Sequence, residues 1–355
     1  MHSLDDMKII DRYDKSDMLD LIESFPSQCR MAKEIGLQVR LPVSFKKYSN
    51  VVCTGLGGSA IGADVARSFL ADEADRPIFV NRHYTLPEFV CKDTLVIASS
   101  YSGNTEETLS AYRDAKRRGA KIIVITSGGQ LEGLADKDGF PVIIIPKGLP
   151  PRCALGYSFF PLLYTFSKIG LMKDKTKDID EAIANMECLR DDQMGFEVPE
   201  KGNPAKRIAG KIFEKLPFIY AGQDHIDVVA TRWRGQLAEN AKTLASSHVF
   251  PEMNHNEIMG WENPKGLLKS FVIIMLRDKE DNDRVAKRMN VTAHLLKKES
   301  AGIIELRSSG KGRLSRIFSL IYTGDFVSFY LAMLNGRDPT PVEKITYLKG
   351  ELAKL

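Results

Sequence analysis

Short apolar runs that alternate with helical stretches limit this chain to few architectures. Val51-Val52-Cys53-Thr54, Pro77-Ile78-Phe79-Val80, Leu95-Val96-Ile97-Ala98, Lys121–Thr126 and Val142–Ile145 are strand-length, and helical spacing separates most of them. Strands apolar on both faces need cover on both sides, and the intervening helices supply it while making the crossovers that a parallel sheet requires. The plan resumes with Phe218-Ile219-Tyr220-Ala221-Gly222, a helix from about Asp227 to Leu244, strand Phe271–Leu276, helix 281–297, strand Gly302–Leu306 and a long helix over 313–334. A loop with Pro339 and Pro341 and a short terminal helix follow. Helical spacing also marks Asp17–Ile22, Met31–Leu37 and 153–171, whereas 172–204, with the charged run Lys173–Lys177 and the Pro199–Pro204 loop, reads as linker and spacer. The expectation is an α/β protein of two similar domains, 1–172 with leading helices and 173–355 with a C-terminal helix packing back to the site.

Bulk properties agree. A chain of 355 residues fits about two domains of roughly 150 residues. With 50 basic and 46 acidic residues the net charge is +4, which argues for neither nucleic acid nor a membrane surface as partner. No apolar run approaches the ~20 residues of a membrane span, and Met1–Asp6 does not begin a signal peptide. Cys29, Cys53, Cys91, Cys153 and Cys188 are odd in number and form no CxxC pair, the pattern of reduced thiols in a cytoplasm.

The chemistry gathers at turns. Ser99-Ser100-Tyr101-Ser102-Gly103-Asn104-Thr105-Glu106-Glu107-Thr108 joins an apolar strand to a helix. A helix N-terminus offers unpaired N–H groups and the positive end of a dipole, and the hydroxyls of Ser100, Ser102 and Thr105 add donors around an anion. The same residues also suit plain helix capping, so two readings stand. Gly55-Leu56-Gly57-Gly58-Ser59-Ala60 fits GxGxxA between a strand and a helix, but the confirming acid after the second strand is replaced by Asn81-Arg82. Arg82 leaves NADP open; alternatively Gly57 and Gly58 let backbone approach the anion held by the serine turn.

Other residues have weaker local signals. Arg152, in Pro150-Pro151-Arg152-Cys153, follows the last strand of the first half at the edge where ligands of such sheets bind. Glu239 sits on a helix whose apolar face contains Trp233, Leu237 and Ala241, where a carboxylate is ordinarily solvated. His255 lies in the polar segment Pro251–Ile258 between two asparagines, a place for a positioned proton donor. Its spacing from Glu257 is not a metal-ligand pattern, and no metal is expected. Lys349 is by default an exposed helix lysine.

Gly57-Gly58-Ser59 with Ser100–Thr105 resembles the signature of the SIS (sugar isomerase) domain. The order SYSGNTEET, PPRxxxGY, AENAK, NHNEIxGWE and DPTPVxxIxxLK resembles the bifunctional phosphoglucose/phosphomannose isomerases of archaea and some bacteria. The resemblance runs from about residue 50 to the C-terminus and implies two SIS-type αβα sandwich domains. It implies that Gly57, Gly58, Ser59, Ser100, Ser102 and Thr105 hold a sugar phosphate. Glu239 then matches the base moving a proton between C1 and C2, and His255 the ring-opening group, contributed by the neighbouring subunit of a homodimer. Arg152 matches the arginine beside the enediol(ate) oxygens, Lys349 a lysine assisting ring opening, and Thr340 a hydroxyl making room for the mannose epimer. No cofactor is implied. The competing readings are another SIS sugar-phosphate isomerase and a non-catalytic sugar-phosphate sensor.

Overall fold

The computed structural model describes residues 3–223, 225–352 and 354. They form two compact units, one of residues 24–184 and 311–315, the other of residues 1–23, 185–310 and 316–355.

The first unit is built on β1 (Asn50–Thr54), β2 (Ile78–Asn81), β3 (Thr94–Ser100), β4 (Lys121–Thr126) and β5 (Val142–Ile144). All pairings are parallel, in the order β2-β1-β3-β4-β5. Every residue of β3 is buried, as its unbroken apolar run requires. Alternate residues Val52, Val96, Ala98, Ile122 and Val124 join one core with Leu109, Tyr112 and Ala115 of helix Glu106–Arg117 and Leu131 of helix Gly129–Asp138. Helix Leu155–Lys168 packs against both Phe25–Gln38 and Gly57–Phe69. Buried Gln28 starts helix Leu155–Lys168: its Nε2 donates to Cys153 O (2.8 Å) and its Oε1 accepts from Gly156 N (3.0 Å). From β1 the chain moves to one side to form β2 and then to the other to form β3. That reversal makes a topological switch point, the place outside the carboxyl ends of the strands where such sheets bind ligands.

The second unit has β6 (Leu216–Gly222), β7 (Ser246–Phe250), β8 (Phe271–Arg277) and β9 (Gly302–Arg307), all parallel in the order β7-β6-β8-β9. β7 departs from expectation. The helix expected to reach Leu244 stops at Glu239, Lys242 adopts φ +55°, and Ser246–Phe250 then pairs at the sheet edge. Only Phe250 of β7 is buried, so the strand carries no apolar run. The helix Arg313–Leu334 is long and apolar enough to cross a membrane by composition, and 94% of that stretch is buried inside the protein.

Two boundaries need correction. Residues 176–189 are not linker but a helix, with Ile179, Ala182, Ile183, Met186 and Leu189 buried at helical spacing. The leading residues 1–23 belong to the second unit rather than the first. There fully buried Lys206 donates to Asp5 Oδ1 and to Phe196 O, both at 2.8 Å, and Tyr322 donates its hydroxyl to Ile22 O at 2.9 Å. The unit boundary accordingly falls at 184/185, not 172/173.

Candidate functional site

In the first unit three turns converge at the carboxyl ends of β1, β3 and β4. The β1 turn delivers Gly57 to the start of helix Gly57–Phe69, whose N-terminus carries no side-chain cap. The β3 turn reaches Thr105, which precedes helix Glu106–Arg117 and likewise makes no side-chain cap bond. The capping explanation of these hydroxyls therefore fails. Ser100 Oγ instead donates to Thr105 Oγ1 (2.9 Å), and Ser102 Oγ accepts from Asn104 N (3.3 Å), holding the turn as a shallow cup. Ser59 Oγ accepts from Tyr101 N (3.2 Å), which ties the two turns together. The N-termini of two helices and the hydroxyls of Ser59, Ser100, Ser102 and Thr105 thus lie at one edge of the sheet, an arrangement suited to a phosphate-sized anion.

The β4 turn supplies a wall that sequence reasoning missed. Gly103 has φ +68°, and a Cβ there would collide with the Gly128 carbonyl oxygen, 2.7 Å from its carbon. Gln130 N donates to Asn104 Oδ1 (3.0 Å) and Leu131 N to Gly103 O (2.9 Å), closing the contact. The signal was present as Ser127-Gly128-Gly129 directly after an apolar strand.

Arg152 lies in the single turn Pro151–Cys153 beyond β5 and is 5% exposed. Its backbone packs against Gly58: a Cβ on Gly58 would strike the Pro151 carbonyl oxygen, 3.0 Å from its carbon and 3.5 Å from Arg152 N. Gly57, Gly58, Ser59, Ser100, Ser102, Thr105 and Arg152 are thus brought to one edge of one unit. Arg82 is ion-paired with Asp64 of helix Gly57–Phe69, so the cation that an NADP phosphate would require is already engaged.

In the second unit Glu239 is the half-buried last residue of helix Asp227–Glu239. Lys242 Nζ donates to the Glu239 carbonyl and to Pro339 O (3.2 Å) and Pro341 O (2.6 Å), while Asn335 Nδ2 donates to Ala241 O (2.8 Å). These bonds fasten the segment carrying Thr340 to the segment carrying Glu239. Behind them is a buried polar network that the sequence did not disclose. Arg232 donates to Asp325 Oδ2 (2.9 Å), Gln236 Nε2 to Asp325 Oδ1 (2.8 Å) and Asn240 Nδ2 to Ser328 Oγ (3.0 Å). Burial pushes the Asp325 carboxyl above the usual carboxylate range, against the opposing pull of Arg232 and Gln236.

His255 is not brought to Glu239 within the chain. The helix Asp227–Glu239 crosses from β6 to the parallel, adjacent β7, so Glu239 lies at the amino edge of the sheet. His255 follows β7 at the carboxyl edge, and a five-residue strand of about 16 Å stands between them. The His255 side chain is exposed, and its segment is anchored by neighbours instead. Tyr220 donates to Glu257 Oε1 (2.5 Å), Trp261 Nε1 donates to the Tyr220 hydroxyl (2.9 Å), and Asn254 Nδ2 donates to Thr292 Oγ1 (2.9 Å). Burial, and then the Glu257 carboxylate, push the Tyr220 hydroxyl far above its ordinary range, so it stays a donor. Lys349 is exposed on helix Glu343–Leu352, none of whose described residues is buried.

Residues 45–137 match the family model described as the SIS domain, and residues 201–352 match the bacterial phospho-glucose isomerase C-terminal SIS domain. A bifunctional phosphoglucose/phosphomannose isomerase of Caldicellulosiruptor bescii is 51% identical over 338 residues, 95% of this chain and 99% of that protein. The chain belongs to the bifunctional phosphoglucose/phosphomannose isomerase family. Both matched models are SIS domains, as the two parallel sheets lead one to expect. A D-glucosamine-6-phosphate 4-epimerase of Sulfolobus acidocaldarius is 30% identical over 246 residues, 69% of this chain and 74% of that protein. A solved structure of a hypothetical protein from Thermus thermophilus shares the fold, with a TM-score of 0.73 at 14% identity over 98% of this chain and 92% of that one. The first model takes in the turns after β1, β3 and β4, and the second takes in Glu239, His255, Thr340 and Lys349.

Proposed function

We propose that this protein interconverts glucose 6-phosphate and mannose 6-phosphate with fructose 6-phosphate through an enediol intermediate. The observation that carries the reading is the pair of helix N-termini whose neighbouring serines and threonine do not cap them. Such donors serve an anion rather than the helix, and the substrates named for the 51% identical relative are phosphosugars.

In this reading the phosphate binds at Gly57, Gly58, Ser59, Ser100, Ser102 and Thr105, and that remote binding orients the sugar carbons. His255, assisted by Lys349, moves the proton between the ring oxygen and O1 that opens the ring, work suited to an imidazole near neutral pH. Glu239 takes the proton from C2 and returns it at C1, and the Arg152 guanidinium stabilises negative charge on the enediolate oxygens. The planar intermediate loses its C2 configuration. Reprotonation on either face then yields either aldose, with Thr340 leaving room for the mannose hydroxyl.

Exposure of His255, at the sheet edge opposite Glu239, favours its use in the site of a second copy of the chain. Met259, Val291 and Leu295 are exposed around the same segment and its helix neighbour, as an interface would need. The homodimer and the closing of helix Glu343–Leu352 over the site belong to this proposal. The test is a coupled assay on fructose 6-phosphate that follows glucose 6-phosphate and mannose 6-phosphate separately. Formation of both products, abolished in Glu239→Gln, supports the reading. Activity only on another phosphosugar selects a different isomerase, and no turnover of any phosphosugar with binding intact selects a sensor.

A further inference from the structure

We propose that Asp325 is a positioning residue for Glu239, fixing the rotation of the helical turn that presents this carboxylate. The inference rests on the reading of Glu239 as the base, and its evidence lies wholly within the second unit.

Arg232, Gln236 and Asn240 recur every four residues, so they form one stripe along helix Asp227–Glu239 and just past its end. The whole stripe terminates on one turn of helix Arg313–Leu334. Arg232 and Gln236 occupy the two carboxyl oxygens of Asp325, at 2.9 and 2.8 Å. Asn240 reaches Ser328 Oγ at 3.0 Å, and that hydroxyl donates to the Asp325 carbonyl at 2.7 Å. Arg232, Gln236, Asn240, Asp325 and Ser328 are all buried. Trp233 adds a further tie through Nε1 to Leu320 O (2.8 Å).

Apolar residues would hold this helix to its neighbour, and buried polar groups are costly unless every bond is made. What the polar stripe adds is direction. Apolar packing tolerates small rotations about a helix axis, whereas hydrogen bonds weaken steeply when misaligned. Glu239 is the residue such a rotation moves most consequentially, being bonded through the chain to Asn240 and less than one turn from Gln236. A rotation of about 10° displaces a carboxylate about 6 Å from the axis by about 1 Å. A misplacement of that size at a reacting centre can cost about 10²-fold in rate.

The experiment compares wild type with Gln236→Leu and Ser328→Ala, both of which keep the Arg232–Asp325 pair, and with Asp325→Asn, which weakens that pair and is assayed only where its circular dichroism matches wild type. The readouts are kcat and KM for fructose 6-phosphate per folded molecule, the glucose 6-phosphate to mannose 6-phosphate product ratio, and crystal structures of the variants. Expected are a kcat lowered about tenfold or more in Gln236→Leu, a KM within about twofold, and a changed product ratio. A variant that merely folds less well loses activity in proportion and keeps its product ratio. Turnover per folded molecule within about twofold of wild type, with the product ratio unchanged, overturns the proposal. If wild type itself forms neither product, the isomerase reading fails instead. The crystal structures then decide the positioning claim: a shift of the Glu239 Cα approaching 1 Å in Gln236→Leu sustains it, and an unmoved Glu239 refutes it.

Discussion

Replacing Gly58 by alanine tests the cradle at its tightest point. An added Cβ would strike the Pro151 carbonyl oxygen and lie 3.0 Å from its carbon. Carbon atoms pack at about 3.5–4.0 Å, so the two segments must part by about 0.5–1 Å. Neither side yields easily. Gly58 sits in the first turn of helix Gly57–Phe69, its carbonyl accepts from Ser158 Oγ (3.2 Å), and the opposing atoms are backbone of the turn that carries Arg152. Overpacking of this kind costs about 1–3 kcal/mol. The larger effect is functional, because the strain is relieved by separating the helix N-terminus from the Arg152 turn, and kcat/KM for fructose 6-phosphate is expected to fall about 10–100-fold.

Gly133→Ala is the control. Gly133 is exposed within helix Gly129–Asp138, and a Cβ there meets nothing within 4 Å, so the change should stabilise the unit by about 1 kcal/mol and leave turnover alone. Thermal melts and steady-state kinetics on the pair separate the two contributions. A Gly58→Ala protein with wild-type melting temperature and wild-type kcat/KM would show that the contact does not shape the cradle.

Three further outcomes follow from the same geometry. Thr105→Val keeps the shape but removes the hydroxyl that accepts from buried Ser100, so stability should fall by about 1 kcal/mol while KM rises about tenfold, the worth of one hydrogen bond to a charged group; an unchanged KM would return Thr105 to a structural role. Glu239→Gln and His255→Ala should each lower kcat by about 10²–10⁴-fold, yet mixing the two inactive proteins after dissociation should restore activity if each site takes His255 from the other copy; no recovery in verified hybrids would place both residues in one chain's site. Asp278 has its carboxyl raised by burial but lowered further by Arg316 and Ser308, and stands net below its ordinary value. A depressed carboxyl stabilises above the unfolded value of about 4 and loses that contribution as pH falls through its native value, so the stability gap between wild type and Asp278→Asn should narrow below about pH 4. A gap constant with pH would refute this assignment.

Most of the sheet architecture is local information. β1, β3, β4, β6 and β8 announce themselves as apolar runs bounded by glycine or hydroxyl turns. The cradle is equally local, because backbone amides at strand–helix junctions need only small residues and hydroxyls at fixed offsets. β7 was not legible, since Ser246-Ser247-His248 is half-polar and becomes a strand only by pairing with β6 at an edge. The helix Thr176–Leu189 was hidden by the charged residues that open it. Glu239 looks like any solvated helix carboxylate, because the residues that fix its turn lie 89 and 88 positions away from their partners at Asp325 and Ser328.

Two parallel α/β halves and the hydroxyl-rich turns proposed to hold an anion are thus written into the chain itself, since they follow from the periodicity and composition of short segments. Folding in three dimensions was needed to set where the leading residues dock, where helix Asp227–Glu239 ends, and that Glu239 and His255 stand at opposite edges of one sheet. Those features rest on hydrogen bonds and strand pairings between distant residues, whose partners no local pattern specifies.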